Sequence, residues 1–79
     1  MKSEYIDVTK FEKENKNLRL VKKLRTKSWD IELFFNSDDE FYYSKGPFAR
    51  WDAICYIKLD FKNEDDVKKW IKDMEELNS

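Results

Sequence analysis

Apolar residues recur at every second position from Trp51 to Phe61, which is the period of a β-strand with one buried face. The positions between them are mostly polar. The two sets together predict a strand that organises the core and presents its other face outward. The apolar set is Trp51, Ala53, Cys55, Ile57, Leu59 and Phe61, and the intervening set is Asp52, Ile54, Tyr56, Lys58 and Asp60.

After Lys62 the apolar period changes to that of an α-helix with one apolar stripe. Asn63 is placed to cap this helix, and the three acidic residues that follow it favour the positive N-terminal end of a helix dipole. The pattern predicts a C-terminal helix that packs on the apolar face of the preceding strand. The stripe consists of Val67, Trp70, Ile71, Met74 and Leu77.

Two further strands are predicted in the middle of the chain. Trp29–Asn36 alternates apolar and polar residues, and Ser37-Asp38-Asp39 has the composition of a turn. Glu40–Lys45 then runs back as a strand that carries three consecutive aromatic residues. Gly46-Pro47 is expected to end this strand, because proline cannot donate to a β-ladder.

The N-terminal third is the least regular part of the pattern. Met1–Val8 fits either a short edge strand or an anchored arm. Thr9 and Glu12 have the spacing of a capping box, so a helix is expected to begin near Lys10. Up to Arg25 the pattern allows one long helix, or a short helix followed by a strand, and we favour the second. The fold class predicted is α+β, with an antiparallel meander of three or four strands and the C-terminal helix on one face.

Composition fits one small domain that is rich in aromatic side chains. The 79 residues are 41% hydrophobic and 16% aromatic, so rings must supply much of the buried area. The single cysteine, Cys55, excludes an internal disulfide and is expected to be a buried, inert thiol in a reducing, cytoplasmic setting. Neither a signal-peptide h-region nor an apolar run of about 18 residues is found, so no membrane association is expected.

Residue types argue against catalysis. The chain has no histidine, one cysteine and one glycine, which removes imidazole bases, the usual zinc sites and glycine-rich phosphate loops. Acidic groups such as Asp38-Asp39-Glu40 are expected to form a solvated turn rather than a cation site. We therefore predict a non-enzymatic protein without a cofactor or metal.

The strand faces opposite the C-terminal helix combine aromatic and acidic residues, which is typical of a protein-binding patch. The ring from Glu40–Lys45 is either Tyr42 or the pair Phe41 and Tyr43. In the alternative interpretation, the N-terminal segment covers this face with Tyr5, Ile6, Val8 and Phe11. The predicted protein-binding residues are Asp30, Glu32, Phe34, Tyr42, Asp52, Tyr56 and Asp60.

Charge is distributed unevenly along the chain. Residues 1–27 hold nine basic and four acidic residues, whereas residues 28–79 hold seven basic and thirteen acidic residues. A run of six cations without an intervening acid could contact nucleic-acid phosphates, or could be a solvated segment that attracts the acidic half of the domain. The candidate nucleic-acid contacts are Lys16, Arg19, Lys22, Lys23, Arg25 and Lys27.

The sequence as a whole predicts a cytoplasmic binding protein that occludes or adapts a protein partner through the acidic-aromatic patch. The Lys, Asn, Asp, Glu and Ile bias is typical of an AT-rich genome, and a phage or mobile-element inhibitor of a host or defence protein would suit this composition. A nucleic-acid-binding module is the alternative. A homodimer that pairs basic with acidic halves is a third hypothesis.

Overall fold

The structure is a computed structural model that describes residues 5–25, 30–50 and 53–77, with the side chains of 48–50, 53 and 77 left aside. The described residues form five strands and two helices. In chain order these are β1 (Tyr5–Asp7), α1 (Val8–Glu14), β2 (Leu18–Arg25), β3 (Asp30–Asn36), β4 (Phe41–Arg50), β5 (Ala53–Leu59) and α2 (Glu64–Leu77).

The five strands form one antiparallel sheet in the order β1-β5-β4-β3-β2. The predicted α+β class and the C-terminal helix are confirmed, but the sheet has five strands rather than three or four. The additional strand is β1, in which Tyr5, Ile6 and Asp7 pair with Ile57, Tyr56 and Cys55. Three residues are too few to produce a diagnostic alternation, which is why the sequence left this segment open.

Strand β4 extends beyond the predicted end at Gly46-Pro47 and runs to Arg50. The β4–β5 register shifts between Gly46 and Arg50, so Pro47 lies in an irregular stretch. Proline is tolerated at such a bulge, because no regular ladder bond needs its missing N–H. The prediction of a strand end there was wrong for this reason. Trp29 and Trp51, predicted at strand starts, lie outside the described residues.

The short helix followed by a strand is confirmed for the N-terminal third, although α1 begins earlier than expected. Its N-cap is Asp7, whose carboxylate accepts a hydrogen bond from the Lys10 N–H at 3.0 Å. The Thr9–Glu12 capping box is therefore not the start of the helix. The reason is that Asp7 already satisfies the N3 amide of this helix.

Helix α2 follows the predicted pattern closely. The Asn63 side chain accepts from the Asp66 N–H at 3.1 Å, as a cap should. Val67 is buried, and Trp70, Ile71 and Met74 are half-buried. The Trp70 ring lies 6.4 Å from the Phe61 ring, which anchors the helix beside the end of β5. No helix among the described residues is long and apolar enough to cross a membrane.

The two helices lie on opposite faces of the sheet. Phe11 of α1 contacts the rings of Tyr43 and Tyr56, and this side is called the α1 face. The ring of Tyr42, the neighbour of Tyr43 in β4, packs instead against the ring of Phe61. The Phe61 ring in turn contacts the ring of Trp70 in α2. Side chains of adjacent strand residues point to opposite faces, so α2 covers the other side, here called the α2 face.

Candidate protein-binding surface

Tyr56, the ring at the centre of the predicted patch, is buried beneath α1. It is 1% exposed, and its ring lies 4.6 Å from that of Phe11 and 5.9 Å from that of Phe34. Ile6 and Val8 pack against the same cluster. The structure thus shows the second of the two predicted alternatives: the N-terminal segment covers the middle of the α1 face.

Tyr42 does not belong to this face. Its ring contacts Phe35 at 5.0 Å and Phe61 at 5.4 Å on the α2 face. The rings from β4 on the α1 face are Phe41 and Tyr43, which was the alternative predicted for this strand. Choosing Tyr42 was wrong because three consecutive rings give no alternation from which to read a face.

The acidic members of the predicted patch are spread along the sheet. Asp30 is exposed and pairs with Lys23 at 3.6 Å, and Glu32 is half-buried opposite Lys45. Asp60 follows the end of β5 and is exposed. Asp52 lies outside the described residues. The carboxylates and rings therefore do not form one continuous open patch.

A polar network fixes α1 on the sheet. The Glu12 carboxylate accepts hydrogen bonds from Lys45 Nζ and from the Tyr56 hydroxyl, both at 2.8 Å. The hydrogen bonds from these two groups hold the pKa of Glu12 below its ordinary value of 4.5. Burial, followed by the bond to Glu12, raises the pKa of Tyr56. The ionised carboxylate thus stabilises the docked helix.

This network predicts a pH-dependent contribution to stability. The folded-state pKa of Glu12 lies below its unfolded value, so the contribution is present above about pH 4.5 and is lost as the pH falls through the folded-state pKa. At neutral pH, Glu12→Gln should lower the free energy of unfolding by at most about 1 kcal/mol, because the side chain is half-exposed.

The measurement is chemical denaturation of wild type and Glu12→Gln at neutral pH and near pH 3. The difference in free energy of unfolding between the two proteins should shrink at acid pH, because protonation of Glu12 removes the same negative charge that the substitution removes. Glu14→Gln, on the same helix, is the matched control, with no expected change between the two conditions. A wild-type advantage that persists near pH 3 would contradict this role of Glu12.

Two asparagines at the C-terminal end of α1 close the same side of the domain. Asn36, which is 0% exposed, donates to Asn15 Oδ1 at 3.0 Å and accepts from the Asp38 N–H. Asn15 in turn donates to the Phe11 carbonyl at 2.9 Å. These bonds fix the C-terminal end of α1 to the β3–β4 turn, and the pairing of β1 with β5 holds the chain at its N-terminal end.

The turn carboxylates considered as a cation site are used within the turn itself. Asp38 accepts from the Asn17 side chain at 2.8 Å, and Asp39 accepts from the Phe41 N–H and the Tyr43 hydroxyl. Among the described residues, no group of three or more histidine, cysteine or acidic side chains is placed to hold a metal. The lone thiol, Cys55, is buried and points to the Gly46 carbonyl at 3.7 Å.

One exposed aliphatic surface of the described chain follows β2, an edge strand of the sheet. Leu20 is 48% exposed and Val21 is 38% exposed, although both are large aliphatic residues. We define the β2 surface as these two residues with the four cations of the strand and the half-buried ring of Phe34, which lies opposite Leu20. The cations are Arg19, Lys22, Lys23 and Arg25.

The β2 cations lie on both faces of the sheet edge. Arg19 is opposite Phe35, with its guanidinium 5.9 Å from that ring, and Lys22 is opposite Leu33, so both belong to the α2 face. Beyond the register shift at Val21, Lys23 and Arg25 are opposite Glu32 and Asp30, on the α1 face.

The structure therefore brings together residues that the sequence assigned to different sites. Phe34 was predicted for the acidic-aromatic patch, whereas Arg19, Lys22, Lys23 and Arg25 were predicted for the nucleic-acid alternative. Lys16 is exposed in the segment before β2, and Lys27 lies outside the described residues. Leu20 and Val21 were assigned to neither site. Their adjacency was a signal, because two neighbouring aliphatic residues cannot both face the core of a regular strand.

No known protein family, curated protein or solved structure gives a significant match to this chain.

Proposed function

We propose that this chain is a non-enzymatic binding protein that engages a protein partner through the β2 surface. The observation that carries the proposal is the exposure of Leu20 and Val21 on an open edge strand, at 48% and 38%. Exposed aliphatic residues surrounded by polar groups are typical of an interaction site, since they lose unfavourable contact with water on binding. The sheet and its two anchored helices supply the rigid support for such a site.

Charge indicates which class of partner suits this surface. Strand β2 carries four basic residues and no acidic one. Arg25, Lys22 and Lys23 are all exposed. Lys23 pairs with Asp30 at 3.6 Å, but this ion pair is solvated, so a partner's carboxylate can replace it at little cost. An acidic partner would gain attraction during approach and orientation at the surface. The β2 surface therefore fits a partner with acidic and aliphatic residues side by side.

A nucleic acid is the second candidate, because the same cations could contact phosphates. Two features of β2 favour a protein. The cations are divided between the two faces of the sheet edge, so one phosphate backbone lying on either face reaches only half of them. The aliphatic pair also offers nothing to phosphates, and the ring of the β2 surface, Phe34, is half-buried and packs edge-on against Tyr56 rather than lying open for an unpaired base.

Within this proposal the protein acts by occlusion or as an adaptor, in keeping with a sequence that has no histidine and one cysteine. Origin from a phage or mobile element, inhibition of a host or defence protein, and action in the cytoplasm stay predictions based on composition. The proposal changes the location of the site relative to the acidic-aromatic patch, because α1 covers Tyr56 at the centre of that patch.

The test is a pull-down from native lysate with wild type and with two matched variants that each shorten one exposed aliphatic residue. Leu20→Ala removes part of the β2 surface, and Ile54→Ala removes a side chain that is 57% exposed on β5. We expect Leu20→Ala to weaken capture of the partner by about fivefold or more, which corresponds to roughly 1 kcal/mol. Ile54→Ala should retain it.

Nuclease treatment of the lysate separates the two candidate functions. Capture that survives nuclease and depends on Leu20 supports a protein partner. Capture that is abolished by nuclease would mean that the basic residues of β2 contact a nucleic acid. Equal effects of Leu20→Ala and Ile54→Ala, with unchanged folding of both, would place the site elsewhere.

A further inference from the structure

We infer that the partner contributes an extended, acidic segment that pairs with the open edge of β2 and lengthens the sheet by one strand. The inference rests on the proposed function and specifies the partner's chemistry and its mode of binding. It depends on three properties of β2, namely its unpaired backbone, the placement of its cations and the register shift at Val21.

The first property is the free edge itself. Among the described strands β2 pairs with β3 on one side, so every second residue directs its backbone N–H and C=O away from the described sheet. Strand β2 has eight residues, whereas β1 at the opposite edge has three. Of the two described edges, β2 therefore has ordinary strand length, and main-chain hydrogen bonds to such an edge give affinity to an added strand.

The second property is the division of the cations. Residues that lie opposite each other in neighbouring strands share a face of the sheet. An added strand would therefore meet Arg19 and Lys22 with side chains on the α2 face, and Lys23 and Arg25 with side chains on the α1 face. An extended peptide whose acidic side chains lie on both faces can pair with all four cations. A partner that docks on one face of the sheet cannot do so.

The same cations argue against a second copy of this chain as the occupant. Pairing β2 with another β2 would bring four positive charges against four, and like charges opposite each other destabilise a strand pair. Basic residues on an edge strand are a common protection against such self-pairing. In β2 this protection leaves an acidic strand as the complementary occupant.

The third property is the register shift. Between Leu20 and Lys22 the pairing with β3 slips by one residue, which leaves Val21 without its own partner on β3. Such a bulge turns the strand and re-aims its side chains, and here the bulged Val21 and the preceding Leu20 are both exposed. The matching segment is therefore acidic along Lys22–Arg25 and carries an aliphatic residue beside Leu20 and Val21.

The experiment uses the full chain and a labelled eight-residue peptide in which glutamate alternates with valine and threonine. A second peptide of the same charge has proline in place of two alternate residues and cannot donate the corresponding hydrogen bonds. We expect the first peptide to bind at low salt, and the proline peptide to bind with an affinity at least about tenfold lower. Amide hydrogen exchange should slow at alternate β2 residues and not in β1.

Charge variants locate the site. Replacing Lys22, Lys23 and Arg25 by glutamine should lower the affinity for the first peptide by about tenfold or more. The matched control replaces Lys10, Lys13 and Lys62 by glutamine, which removes the same charge away from β2 and should change the affinity by no more than about twofold. Raising salt from about 50 to 200 mM should weaken binding to wild type several-fold.

Four results would overturn the inference. These are equal affinities for the two peptides, no peptide binding at 50 mM salt and about 1 mM peptide, tighter binding of an oligothymidylate than of the peptide, and self-association of the chain through β2. A Leu20-dependent, nuclease-resistant pull-down together with equal peptide affinities would leave the proposed function standing and remove strand addition alone. If the pull-down also proved independent of Leu20, the proposed function would be removed as well.

Discussion

Replacing Tyr56 by alanine should remove most of the protein's free energy of unfolding. The side chain is 1% exposed and contacts Phe11 of α1 and Phe34 of β3. Truncating a buried aromatic residue costs about 3–5 kcal/mol, because transfer energy is lost and a cavity forms. A domain of this size has a free energy of unfolding near the lower end of about 5–15 kcal/mol. Far-ultraviolet circular dichroism during urea denaturation measures the effect.

Tyr56→Phe is the matched control for this experiment. It keeps the ring against Phe11 and removes only the hydroxyl that donates to Glu12 at 2.8 Å. Loss of one hydrogen bond should cost about 1 kcal/mol, with the Lys45–Glu12 ion pair retained. If Tyr56→Ala melted within a few degrees of wild type, α1 would not be the cover of this face, and the acidic-aromatic patch would again be the leading site.

The regular part of the fold was predictable because it depends on local periodicity. Strands β3 and β5 alternate strongly, and α2 has both an apolar stripe and a capping asparagine, so each could be recognised without its neighbours. The cover over Tyr56 could not be decided in this way. Alternation shows which residues share a face, but not whether a distant segment docks on it. Phe11 in a seven-residue helix carries too little pattern to settle that question.

The wrong predictions have equally specific causes. Tyr42 and Tyr43 are indistinguishable in a run of three rings, although they pack on opposite faces. Pro47 is usually a strand breaker, yet the bulge in β4 accommodates it. Each of these depends on pairing with another strand, and pairing is a property of the fold rather than of the segment.

The candidate site was predictable in its charges and not in its position. The cation run is visible in the sequence, but its place on the sheet edge follows from the order of the described strands, in which β2 is last and pairs with β3. The register shift between Leu20 and Lys22 leaves Val21 without a partner on β3, and both aliphatic residues are exposed. A nonlocal feature thus converts a solvated basic segment into a surface with an apolar centre.

Replacing Leu33 by alanine should produce the other large loss of stability, from the opposite side of the sheet. Leu33 is 1% exposed, in the middle of β3, where it lies opposite Ser44 on one neighbour and Lys22 on the other. Its alternation with Phe34 places it on the α2 face. Leucine-to-alanine substitutions in cores cost about 2–5 kcal/mol, and the tight surroundings of a central strand favour the upper half of that range, because they cannot collapse into the cavity.

Leu20→Ala provides the comparison that gives the Leu33 result its meaning. Both leucines are in β-strands and the substitution is the same, but Leu20 is 48% exposed and Leu33 is 1% exposed. Leu20→Ala should change the free energy of unfolding by no more than about 0.5 kcal/mol, because little transfer energy is lost at an exposed position. Denaturation curves of the two variants measured side by side test this difference. Similar losses would mean that Leu20 is a core residue, in which case β2 would have no apolar surface to offer a partner.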